Sequence, residues 1–186
     1  MLTDTGLGGE LRIRDATASD APSLAAFAAE VFRDTYATTA GHADIEAHIA
    51  AHLHADAQAA EIAAAGWRTL LAEVDGVCAG YAQLSLGPAP AAVRSALGGA
   101  ATALEIKRFY VARPWWGRGV AQRLMAACTD APGPGTPIWL TVFTRNPRAV
   151  AFYAKSGFRI VGEMTFVMGQ DHQRDHVMLC SAQSAS

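Results

Sequence analysis

The stretch LEIKRFYV (104–111), followed by WWGRGVAQRL (115–124) and then NPRAVAFYAKSGF (146–158), decides how the chain is read. Residues 104–111, with Ile106, Phe109, Tyr110 and Val111, read as a strand. Gly117 and Gly119 punctuate the turn behind it. Apolar residues then recur at helical spacing from Arg118 to Thr129. A glycine-rich turn between a strand and a helix aims free backbone N–H groups at one point. The helix dipole adds positive potential there. Without side chains, Gly117 and Gly119 let an anion approach the backbone closely, and Arg118 adds a full charge. The turn is too short for GxxxxGK[ST] and lacks GxGxxG, so it is neither a Walker loop nor a dinucleotide fingerprint. A plain tight turn remains the competing reading at this point.

Working outward, Ile138–Phe143 reads as a strand. Asn146–Ser156 reads as a helix stopped by Gly157. Upstream, Leu11–Arg14 reads as a strand, and Ser19 as the N-cap of a helix carrying Leu24, Phe27, Val31 and Phe32 on one face. Ala43–Ala65 reads as two short helices meeting near Leu53–Asp56. Trp67–Val74 and Val77–Leu86 form a hairpin around Asp75-Gly76, the strongest short-range hairpin signal. Segment 87–103 is rich in Gly, Pro and Ala and reads as a long loop. Phe158–Met168 and His176–Cys180 read as two last strands joined by a polar turn at 169–175. Residues 1–9 read as a flexible tail. The order predicts one α/β (α+β) domain over 1–186, with a mixed, mostly antiparallel sheet of six to seven strands and helices on both faces.

The chain has 186 residues, enough for one domain with a substantial core. Hydrophobic residues make up 51% and charged residues 17%, which excludes a disordered chain. The net charge of −2 argues against a nucleic-acid surface. No apolar run approaches the roughly 20 residues that span a bilayer. Cys78, Cys128 and Cys180 fit neither a disulfide framework nor a zinc site. These features predict a cytoplasmic protein with no membrane or nucleic-acid partner, and they are compatible with a homodimer.

The three elements together resemble the GCN5-related N-acetyltransferase (GNAT) superfamily. Its Q/R-x-x-G-x-G/A motif falls on Trp116, Gly117, Arg118, Gly119, Val120 and Ala121. Its later N-x-x-A-x-x-F-Y-x-x-x-G-F element matches Asn146, Ala149, Phe152, Tyr153, Gly157 and Phe158. Trp116 departs from the usual Gln or Arg. VFRDTY (31–36) and FVMGQDHQRDHVM (166–178) further resemble the PaiA-like branch, some members of which acetylate polyamines.

The resemblance implies a sheet whose central parallel strands splay apart to admit acetyl-CoA. It implies that the pantetheine arm pairs with the backbone of Phe109, Tyr110 and Val111. The pyrophosphate then rests on the amides from Gly117 through Gln122, with Trp116, Asn146, Ala149 and Tyr153 also lining the cofactor site. Tyr153 is the expected general acid for the departing thiolate. Glu105 is the expected base, since an alkyl amine with a pKa of about 10 must lose a proton to attack. Phe32, Thr35 and Tyr36 are the expected acceptor-side residues, facing a turn at 169–175 with Asp34, Asp44, Glu105, Asp171 and Asp175 nearby. The expected activity is transfer of an acetyl group to a small-molecule primary amine by direct attack in a ternary complex. Two alternatives stay open: a non-catalytic acyl-CoA sensor on the same fold, and an acetyltransferase acting on protein N-termini or lysines. No metal is expected. His48 and His52 stand four apart but lack a third ligand, so they read as a solvated helix face.

Overall fold

The computed structural model describes residues 9–99, 102–130, 136–168 and 171–180. The expected tail at 1–9 lies outside them apart from Gly9, as do 131–135 of the expected Pro/Gly linker and the tip of the last turn at 169–170.

Seven strands form one sheet: β1 (Leu11–Asp15), β2 (Trp67–Val74), β3 (Val77–Pro88), β4 (Thr102–Val111), β5 (Ile138–Phe143), β6 (Arg159–Met168) and β7 (Asp171–Cys180). Their order across the sheet is β1-β2-β3-β4-β5-β7-β6. Every neighbouring pair is antiparallel except β4 and β5. The Asp75-Gly76 turn joins β2 to β3 with positive φ at both residues, 50° and 79°, the twist that a two-residue hairpin needs.

The helices are α1 (Ala21–Tyr36), α2 (His42–His52), α3 (Ala55–Ala63), α4 (Ala91–Ala96), α5 (Val120–Asp130) and α6 (Pro147–Lys155). They cover both faces. On one face Val120, Leu124, Met125 and Cys128 of α5 and Tyr153 of α6 bury Leu70, Ala82, Leu84, Ile106, Leu140 and Met178. On the other face Leu24, Val31 and Phe32 of α1 and Ile45 of α2 cover Leu71 and Tyr81. Among the described residues no helix is long and apolar enough to cross a membrane.

Three expectations change. Segment 87–103 is not an open loop: α4 forms inside it, with Ala89, Val93 and Ala103 packed against Trp139, Val177 and Leu179. Alanine favours helix enough to override the flanking prolines and glycines. Ser19 does not cap α1. A 3-10 turn at 18–20 precedes the helix, and Thr17 and Asp20 form its reciprocal capping box. Finally, β7 begins at Asp171, so the polar run 171–175 is strand and only 169–170 lie between the last two strands.

Candidate active site

The one parallel pair creates the cleft. β4 has ten residues and β5 has six, yet they pair only at Leu104–Ile106 with Ile138–Leu140. β4 stays bonded to β3 as far as Val111, and β5 to β7 as far as Phe143. The strands therefore part beyond Ile106 and Leu140 and leave two facing rows of backbone groups without each other. A register shift between Gln83 and Leu84 marks a bulge near Lys107, where the separation starts.

The mouth of the cleft is the turn at 116–121. Gly117 and Gly119 adopt φ of 75° and 84°, which disfavours any side chain there. A Cβ at Gly117 would meet nothing within 4 Å, so its constraint is conformational, not steric. α5 begins at Val120, and the first amides of an α-helix have no partner within it. Val120 itself is fully buried, so it can serve a ligand only through its backbone.

Trp116 takes a role that the motif does not describe. Its indole N–H donates to the Val111 carbonyl at 2.6 Å, closing the turn onto the end of β4. Its exposed ring carries the Arg148 guanidinium at 3.4 Å from the centroid and Arg113 at 5.5 Å. Trp115 packs against the core while Arg118 lies over it. Two arginines gathered on one ring give this mouth a positive field.

Asn146 caps α6: its side-chain oxygen accepts from the Ala149 N–H at 3.1 Å. That fixes the helix which places Tyr153 on the α5 side of the cleft. Tyr153 is nearly buried among Phe109, Phe152 and Phe158, with ring centroids 6.1, 5.5 and 6.0 Å away. Burial pushes its phenol well above the ordinary value, so it keeps its proton at neutral pH.

Glu105 sits near the start of β4, opposite Ser85 and Trp139. Its carboxylate lies 3.7 Å from the Lys107 ammonium, which also stands over the Trp67 ring.

The acceptor-side residues divide. Tyr36 packs in the same cluster as Tyr110 of β4, and the two phenols interact. Phe32 is core, stacked between Tyr36 and His48. The Thr35 hydroxyl donates to the Val31 carbonyl of its own helix. His48 is half-buried, not solvated. Its ring lies parallel to Phe32 at 4.6 Å, and burial pushes it down to about 4.

The acids expected around the acceptor are also redistributed. Asp34 faces Arg113 at 3.8 Å, and Asp44 lies in the first turn of α2. Asp175 is no loop residue. It is buried in β7 opposite Phe143, and burial pushes its carboxyl up to about 6. The signal was present: Gln173, Asp175, Val177 and Leu179 alternate along one buried face of β7. Polarity at 172–176 hid it.

Residues 29–158 match the acetyltransferase (GNAT) family. An uncharacterized N-acetyltransferase of Mycobacterium tuberculosis is 33% identical over 164 residues, covering 87% of this chain and 97% of that protein. The PaiA N-acetyltransferase of Thermoplasma acidophilum in complex with coenzyme A superposes with a TM-score of 0.72 at 20% identity, covering 92% of this chain and 99% of that one. Arabidopsis thaliana NAA60 in complex with a bisubstrate analogue superposes with a TM-score of 0.64 at 16% identity, covering 91% and 97%.

Proposed function

Given that the chain belongs to the GNAT acetyltransferase family, we propose that it moves an acetyl group from acetyl-CoA to a primary amine of a small molecule, with polyamines as the first candidates. The observation that carries this reading is the parting of β4 and β5 after three residue pairs, with Tyr153 on one side and Tyr36 and Tyr110 on the other. Acetyl-CoA supplies an activated thioester. The chain supplies binding and proton management.

The unpaired edge of β4 at Phe109, Tyr110 and Val111 suits an extended amide-bearing arm, bound as an added strand. The first amides of α5 and the glycine turn suit a pyrophosphate, and Arg118, Arg113 and Arg148 add charge to the same mouth. Trp116 replaces the usual polar side chain by organising two of those arginines. The Val111 carbonyl is already engaged by Trp116, so pairing falls on the remaining groups of 109–111.

On the other side, Glu105 takes a proton from the acceptor's ammonium, directly or through water. The neutral nitrogen attacks the thioester carbon. The C–N bond forms, the C–S bond breaks, Tyr153 donates its proton to the thiolate, and the second proton lost by the new amide nitrogen returns through water to the Tyr153 oxygen. The phenol is a weaker acid than the thiol, whose pKa is about 8.5, so Tyr153 acts by hydrogen-bonding the sulfur as charge develops and passes its proton on as the C–S bond breaks.

The test is release of the CoA thiol against a panel of amines, with Tyr153→Phe as control. Turnover of at least one alkyl amine, reduced roughly 10²–10⁴-fold in the variant at unchanged acetyl-CoA affinity, is the expected result. Thermal stabilisation by acetyl-CoA with no turnover on any amine would sink the reading and favour a sensor.

A further inference from the structure

Beside the open strands lies one carboxyl group that acetyl transfer leaves unused. Asp175 is 7% exposed. Thr141 of β5 lies near enough to favour its ionised form, and Oδ1 has no hydrogen-bond partner among the described residues. A buried carboxylate with an open oxygen is costly to keep, so its position invites a reason.

Its charge is felt by two phenols at the cleft, Tyr36 from the end of α1 and Tyr110 from β4. The two phenols also act on each other, and both rings pack in the same cluster over β3 and β4. Each is backed by a second ring: Phe32 lies 4.5 Å from Tyr36, and Tyr81 stacks at 5.7 Å on Tyr110. Aromatic faces with a buried negative charge behind them take an alkylammonium. The ring quadrupoles attract the cation, and a buried charge is little screened.

Spacing separates this group from Glu105. Glu105 is opposite Trp139 of β5, whereas Asp175 is opposite Phe143, four residues further along the same strand. At about 3.3 Å per residue the offset is roughly 13 Å along the strand, with two strand spacings across. One nitrogen cannot serve both carboxylates. The two ends of an extended acceptor can.

We propose that Tyr36 and Tyr110, backed by the buried charge of Asp175, form a subsite for the second ammonium of a diamine or longer polyamine. Asp175 is the positioning residue, acting through the two phenols. The inference rests on the amine-acetylation reading above and adds what the acceptor carries beyond its reacting nitrogen.

The experiment compares 1,8-diaminooctane with 1-aminooctane, equal in length and differing by one charge. Wild-type kcat/KM should favour the diamine at least tenfold. In Asp175→Asn the ratio should collapse toward one through a rise in diamine KM, and Asp175→Glu should restore part of it. The ratio should also fall as pH drops through about 6, where Asp175 takes up a proton. The other groups around it are Tyr36 of α1, Tyr110 of β4, Thr141 of β5, His176 of β7 with its partner Glu163 of β6, and His48 of α2. Both tyrosines stay protonated through that range, and His48 stays neutral above about 4. A wild-type ratio near one, a ratio unmoved in Asp175→Asn, or an equal loss for both amines would overturn the subsite. If wild type acetylates neither amine, the acetylation reading fails instead. Calorimetry of the diamine on the CoA-loaded protein then reads the subsite alone, and equal affinity in wild type and Asp175→Asn overturns it.

Discussion

Replacing Asp175 by Asn should make the protein more stable, and only above a definite pH. Burial raises this carboxyl from an ordinary 3.8 to about 6. At 1.36 kcal/mol per unit, keeping it ionised in the fold costs about 3 kcal/mol at neutral pH. The favourable influence of Thr141 is already contained in that raised value. The gain is therefore about 3 kcal/mol, or roughly 6–12 °C in Tm for a chain of this length. The sign follows from linkage. A raised folded-state pKa means that the fold binds a proton which the unfolded chain releases. That contribution is full below the unfolded value of 3.8 and is lost as pH rises through 6. The gap between variant and wild type should therefore be absent near pH 3.5, open between 4 and 6, and stay constant to pH 8. Urea melts at several pH values measure it. An Asn variant that melts at or below wild type at pH 8, or a gap that does not narrow on acidification, would refute the reasoning.

Other outcomes follow from the site. Gly119→Glu places a side chain at φ 84° and a carboxylate at the anion-binding turn, so acetyl-CoA affinity by calorimetry should fall at least tenfold, about 1.4 kcal/mol. Glu105→Gln should push the alkaline-rising limb of the pH–rate profile upward, because less of the amine is neutral at a given pH; an unchanged profile removes Glu105 from proton transfer. Gly80→Ala would put a Cβ 2.7 Å from the Tyr110 carbonyl oxygen, so it should lower Tm and raise the amine KM by displacing Tyr110; an unaltered Tm shows that β3 absorbs the methyl group.

The order of elements along the chain and the glycine turn were legible because both rest on local patterns. Alternation marked β2 and β3, and Asp75-Gly76 fixed their turn. Asn146 announced α6 as a capping residue, and it does cap it. What sequence missed depended on tertiary burial. Helix α4 emerges from a Pro/Gly/Ala segment because Val93 finds a pocket against Trp139 and Val177. Asp175 looked like a turn residue because polar side chains on five successive positions mask alternation. Thr35 seemed available to an acceptor, but its hydroxyl bonds its own helix, a local competition that serine and threonine often win. The role of Trp116 was unreadable since it depends on Arg148, 32 positions away in the chain.

The three pairs joining β4 to β5 make the sheet two separately bonded ribbons, β1 to β4 and β5 to β7 with β6, sharing a short seam. Amides on the inner edges past that seam have no strand opposite them. In the proposed complex the missing rungs come from a molecule that is consumed and replaced at every turnover. The fold is then most complete when it is loaded, and its rigidity should rise and fall with the catalytic cycle. Hydrogen exchange at residues 107–111 and 141–143 should slow on loading with acetyl-CoA, while the β2–β3 hairpin, paired throughout by its own chain, should keep one rate.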